Sequence, residues 1–359
     1  MYKLRDWIDE TRLKWMALSS NPNAISLLER NKDNISWSRL SLNENAIQLL
    51  ENNTDKIYWQ ELSRNPSAIR LLERNIRRID WCYLSSNPNA IRLLEQNKEK
   101  IVWCDLSRNP NALHLLEENS HQGSIDWRYL SGQSYAIPLL EKNLHKIDWT
   151  RLSGNVNAIH ILEQNIDKIK WGWLSSNPNA IRILEKYKHK INWTWLSVNP
   201  NAVHLLEQNI NKICWEYLSV NPNAVHLLEQ NIDKIHWTLL CRNPNAIHIM
   251  EQHLDKVDWV NLSDKPHAIR LLEKHLDKVD LASLIDNPSA VHLLKDHIDK
   301  LDYGDCVSLC RKPYIFTLDY AALKTRCEFY KEELIARALC PDRIQKLVQS
   351  GASIDDLFY

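Results

Sequence analysis

Ten cationic side chains at one position of a repeating frame are the residues of this chain best placed to do chemistry. Arg70, Arg92, His114, His160, Arg182, His204, His226, His248, Arg270 and His292 are separated by multiples of 22 residues, with one step two residues longer. Such a ladder fits a recognition stripe for an acidic protein partner, or for nucleic acid read one unit at a time. Its six histidines also fit a pH-sensitive surface. A ladder of metal sites is disfavoured, because successive rungs stand about a helix diameter of 10 Å apart while metal–ligand bonds are about 2 Å. Glutamate recurs three residues further on, as Glu73, Glu95 and Glu207. Pairing within each helix would neutralise the ladder and counts against the nucleic-acid reading.

A second set is aromatic. Tyr129, Trp173, Trp195 and Tyr217 share another position of the frame. Tyrosine and tryptophan dominate interface hot spots, so these four mark a contact patch, unless they only thicken the core. Cys306, Cys310, Cys327 and Cys340 have the ligand number of a zinc site but lack tight CxxC pairs, and Cys306 falls in a leucine position, where packing explains it. Cys82 and Cys104 read as small hydrophobic fillers. There is no nucleophile elbow, phosphate loop, HExxH or isolated carboxylate pair. Every tempting Asp, Glu or Ser belongs to a repeating column. The expectation is a non-enzyme with no cofactor, no metal and no small-molecule substrate.

The frame that must position these residues is set by tryptophan. Trp15, Trp37, Trp59, Trp81 and Trp103 are followed, after one gap of 24, by Trp127, Trp149, Trp171, Trp193, Trp215, Trp237 and Trp259, and Leu281 and Tyr303 keep the phase. A fixed period of this length signals a repeat array. With the tryptophan as column zero, the unit reads W-x-x-L-S-x-N-P-N-A-I-x-L-L-E-x-N-x-D-K-I-x. Column nine is alanine and column three leucine in thirteen units. The cationic ladder is column eleven and the aromatic set column two. Asn at column six, as in Asn21, Asn87 and Asn199, caps a helix whose first position is proline. Asn at column sixteen, as in Asn97 and Asn231, suits a left-handed helix end, which predicts a helix of about ten residues with column eleven facing solvent. A second helix is expected from the D-K-I stretch to the Leu-Ser pair, capped by Asp233, Asp255 and Asp277. Neither is stable alone, so units must stack. The tryptophan is expected to fill the layer between them, at about 3–5 kcal/mol for replacement by alanine.

The fold class that follows is an all-α solenoid of about thirteen two-helix units, of either hand, forming a rod or arc on the order of 100 Å long. The domains expected are an N-terminal cap helix over 1–14, the array over 15–303 (irregular and bent near 119–157) and a C-terminal helical cap over 304–359. In that cap Leu318–Leu339 reads as one helix, and Pro341 opens a second that ends near Gly351. Lys plus Arg equals Asp plus Glu at 45 each, which argues against phosphate capture as the main work. No apolar run is long enough to cross a bilayer, and the first residues carry no secretory h-region. The scattered cysteines suit a reducing, intracellular compartment.

The stretch LSSNPNAIRLLEQN at 84–97, with KIVW after it, resembles a repeat of proteins encoded by giant viruses of the nucleocytoplasmic large DNA group. IFTLDYAALK at 315–324 and YKEELIARALCPDRI at 330–344 are similar to the C-terminal segment of such proteins. The resemblance implies a viral origin and action in the host cytoplasm, the viral factory or the virion, and it brings no catalytic residues. The fold is also distantly similar to leucine-rich variant repeats, an analogy silent on function. The leading expectation is a scaffold that binds another protein through columns eleven, one, two and five. A nucleic-acid-binding solenoid and a structural virion component are the alternatives.

Overall fold

The computed structural model describes residues 2–121, 123–338, 340–341 and 343–345. Each unit follows one short path, illustrated by the unit that starts at Trp193. A tryptophan helix, Trp193–Leu196, leads through a turn at Asn199 to an alanine-capped helix, Val203–Glu207. A 3-10 turn, Ile210–Lys212, and two extended residues then deliver Trp215 to the next unit. Leu196, Ala202 and Leu206 are fully buried, as are their equivalents along the array. These three columns and the isoleucine of column twenty form one continuous core. The fold is an all-α solenoid.

Several local expectations change. The helix expected after the asparagine–proline pair is shorter than ten residues, because only five or six residues are α-helical after the single turn at column seven, as in Ile91–Glu95. Asn97 and Asn231 are not left-handed (φ −137° and −140°). Instead their side-chain amides donate to the carbonyls of Leu93 and Leu227 one turn back. Asp233 lies inside the turn Ile232–Lys234 and Asp255 and Asp277 also lie in turns, so none caps the tryptophan helix. The caps stand three residues later in the frame, at Asp80, Asp126, Asp148, Asp258 and Asp280. Column twenty is extended, which breaks the single helix drawn from the sequence. The frame tryptophans are only half-buried on the edge of the core. A lysine ammonium covers many of them, as with Lys212 4.6 Å from the Trp193 ring. Their replacement by alanine therefore costs less than a fully buried indole would.

The units are joined by polar groups as well as by leucines. Asn199 Nδ2 donates to the carbonyls of Ser175 and Asn177 in the preceding unit, at 3.0 Å each, while its Oδ1 caps the Asn201 N–H. Asn201 Nδ2 donates to the Pro178 carbonyl. Ser197 Oγ–H donates to the Trp193 carbonyl and accepts the N–H of Cys214, the residue that precedes the next tryptophan helix. Carbonyls left free by the short helices, such as those of Ser175, Asn177 and Pro178, are thus met by a neighbour.

The array has no open ends. Asn21, in the first unit, donates to the carbonyls of Cys310 and Lys312 at 3.0 and 2.9 Å, and Asn23 donates to Pro313. These are the bonds that Asn199 and Asn201 make to their predecessors, now spanning about 290 residues. Lys14 N–H donates to Cys310 Sγ, which takes the serine's place. The helix Tyr303–Cys310 packs on Trp15–Leu18. Residues 2–4 are not a cap helix: they form strand β1 (Tyr2–Leu4), antiparallel to β2 (Phe316–Leu318), with Tyr2 opposite Leu318. The rod or arc is therefore a closed ring of fourteen units, twelve headed by tryptophan, one by Leu281 and one by Tyr303. Residues 304–318 complete its last unit. A helix, Tyr320–Ala338, follows; it matches the expected span but carries exposed Tyr320 and Ile335 and caps no open end. Most of the helix expected to run to Gly351 lies outside the described residues.

Tryptophan helices of successive units pack more closely than the alanine helices do, so they line the inner circumference. Fourteen steps of about 8–10 Å give a circle of roughly 20 Å radius through their axes. The irregular stretch does not interrupt it: Asp126 N–H still reaches Ser107 Oγ at 3.0 Å. Among the described residues no helix is long and apolar enough to cross a membrane.

Candidate interaction surface

All ten column-eleven cations are exposed, on the helix that faces away from the opening. Each histidine is tied to the glutamate of the preceding unit, not to the one in its own helix. His114 meets Glu95 at 2.9 Å, His160 meets Glu141 at 2.6 Å, and His204 meets Glu185 at 2.9 Å. His226, His248 and His292 repeat the contact with Glu207, Glu229 and Glu273. The ladder therefore alternates cation and anion along the rim and staples units together. Arg70, Arg92, Arg182 and Arg270 are exposed there and make no ion pair among the described residues.

The aromatic column lies on the inner wall. Trp173 and Trp195 stack with centroids 6.4 Å apart and planes at 11°, and Tyr217 continues the stack 5.6 Å beyond Trp195. Trp173 is 49% and Trp195 44% exposed, so core thickening does not account for them. Tyr129 is half-buried two units away, under the Arg108 guanidinium at 5.6 Å. The structure thus unites Trp173, Trp195 and Tyr217 in one ribbon and places Tyr129 at its near end, across a hollow.

That hollow is the feature the sequence reading missed. Gly132 and Gly154 occupy column five in adjacent units, where other units carry side chains such as Arg108 or Val198. Their bare backbone floors a depression of about 720 Å³ lined by Arg128, Tyr129, Arg151 and Trp173. A Cβ on Gly154 would stand 3.5 Å from Trp173 Cε3, in ordinary contact. The glycines thus make room without any backbone strain. The signal was present: among the frame's column-five residues only these two are glycine.

Charge on the wall is uneven. Arg39, Arg64, Arg108, Arg128 and Arg151 stand in units two to seven, with Glu61 and Asp105. Glu216, Asp264, Asp286 and Asp305 stand in units ten to fourteen, with Arg242. The stacked aromatics lie between the two halves. Cys306 and Cys310 are buried beneath the N-terminal segment while Cys327 is exposed on the helix Tyr320–Ala338, so the four cysteines are not one cluster. Among the described residues no group of His, Cys, Asp and Glu has a metal-binding arrangement.

Fold and wall together define a class, the closed α-helical ring of tandem short repeats. No protein-family model matches the chain, and neither a curated protein nor a solved structure is similar to it.

Proposed function

We propose that this ring is a non-enzymatic scaffold that binds another protein on its inner wall. The observation that carries the reading is the Trp173–Trp195–Tyr217 ribbon. Two tryptophans, each about half exposed, are held flat and parallel on a rigid support. Exposed apolar surface of that kind is unfavourable unless a partner covers it, and rigid aromatics lose little entropy on doing so. The outer ladder supports the nucleic-acid alternative poorly, because six of its ten cations are already paired with carboxylates. The inner wall carries about as many acids as bases, which also weakens phosphate capture. Together with the resemblance to giant-virus repeats, the reading places the partner in the infected cell.

The test is affinity purification from expressing or infected cells, with and without nuclease, using the native chain and a Trp173→Ala/Trp195→Ala variant of unchanged circular dichroism. A protein recovered equally in both nuclease arms and lost with the variant supports the reading. Recovery that collapses with nuclease, or that ignores the variant, overturns it.

A further inference from the structure

The hollow between Tyr129 and Trp173 has a chemistry of its own. Its cations are differently placed. Arg108, at its edge, is held by Asp105 at 3.2 Å and Asp126 at 3.7 Å. Arg128 reaches Asp148 only at 3.9 Å. Arg151 makes no ion pair among the described residues, and its Cβ and Cδ lie over the Gly132 backbone. The one lining carboxylate, Asp126, is engaged elsewhere: it accepts the Tyr129 N–H at 2.9 Å and faces Arg108. A concave surface with two guanidiniums short of carboxylates and an indole wall is complementary to an anion attached to something flat or apolar.

We propose that this hollow binds an acidic residue of an extended protein segment, with Arg151 and Arg128 holding its carboxylate. The residues beside it in the segment lie along Trp173, Trp195 and Tyr217. This rests on the protein-binding reading above and adds the partner's chemistry. Three observations favour a peptide over nucleic acid. Two guanidiniums beside one hollow match a single carboxylate in the two-pronged geometry that arginine favours. The ribbon runs toward the acidic half of the wall, beginning at Glu216, where a phosphate backbone would be repelled. The rings are stacked on one another, at 5.6 and 6.4 Å between centroids, so the faces between them are occupied. Their edges and outer surface remain for aliphatic side chains, and no slot is left for an inserted base.

The test uses the whole ring and three fluorescent probes read by anisotropy: a twelve-residue leucine–serine peptide with a single glutamate, the same peptide with glutamine in its place, and oligothymidylate. The glutamate peptide is expected to bind. Arg151→Gln should weaken it about tenfold, with Arg128→Gln weaker in effect and Arg270→Gln, on the outer rim, without effect. Equal binding of the glutamate and glutamine peptides, insensitive to Arg151→Gln but lost in Trp173→Ala, overturns the acidic assignment and leaves the protein-binding reading standing. Binding of neither peptide sinks both. Preference for oligothymidylate that is lost with Arg151→Gln assigns the hollow to nucleic acid and overturns the proposal.

Discussion

The buried asparagine of column six does two things with one side chain: it caps its own helix and donates to two carbonyls of the unit before it. Asn199→Ala removes all three bonds from a site without solvent. The loss should be about 2–4 kcal/mol, read from the urea midpoint. Asn199→Asp separates the roles, since it keeps the cap but turns two donors into a charge facing two carbonyls. It should destabilise more than alanine does; a milder effect would mean that capping alone matters. The cap was legible in the sequence, because Asn before Pro and a hydrophobic run is a local signal. The donations between units were not. Periodicity says which residues recur but not the offset at which successive copies touch. The same gap assigned each column-eleven histidine to its own glutamate when its partner is the one a unit earlier.

Between residue and ring stands the unit, and three units break the motif together. Gln133 and Lys265 replace the column-six asparagine, Lys312 takes its structural place three residues later in the longer last unit, and each is followed two residues later by Tyr135, His267 or Tyr314. Tyr135 Oη donates to the Ser107 carbonyl at 2.8 Å and Tyr314 Oη to the Ile285 carbonyl at 2.6 Å. The hydroxyl thus answers the carbonyl that asparagine would have met. Burial pushes the Tyr135 phenol up to about 12, and Tyr314 up as well. The folded state then keeps protons that the unfolded chain releases near pH 10. Stability should be whole below that pH and decline as it rises toward 12; Tyr135→Phe should flatten part of that alkaline limb and cost about 1–2 kcal/mol at neutral pH. His267 faces the Cys241 carbonyl, but its Nε2 is buried without a hydrogen-bond partner. Burial holds its pKa below the ordinary imidazole value. The unfolded chain binds that proton first, so stability falls as pH drops below about 6.5. His267→Tyr should keep a donor toward the Cys241 carbonyl and remove the unpartnered buried nitrogen, raising the melting temperature and reducing this acid sensitivity. From the sequence only the Gln133 unit falls in the stretch near 119–157 expected to bend; the substitution pairs, seen together, record a repair.

At the scale of the whole molecule, closure rests on groups that would be idle in an open array. Asn21→Ala gives a direct check. In the ring it should cost about as much as Asn199→Ala, roughly 2–4 kcal/mol, and it should speed amide exchange in Tyr303–Cys310. An open chain in solution would show almost no effect. The all-α repeat class was legible from the tryptophan spacing alone. Closure was not, because it depends on a small turn per unit that no single motif encodes. Two short segments outside the tryptophan frame, Tyr2–Leu4 and Phe316–Leu318, are the two halves of a clasp. Fourteen equal units divide a full turn into steps of about 26°, which makes copy number a fixed quantity here. An open solenoid gains or loses a unit and merely changes length. Excising one 22-residue unit, such as 193–214, would leave a wedge of about one helix spacing, 8–10 Å, that the remaining thirteen interfaces would have to absorb by flexing or leave open at the clasp. Duplication and deletion, the ordinary currency of tandem-repeat evolution, are therefore expensive for this molecule, and change is channelled into substitutions on the wall.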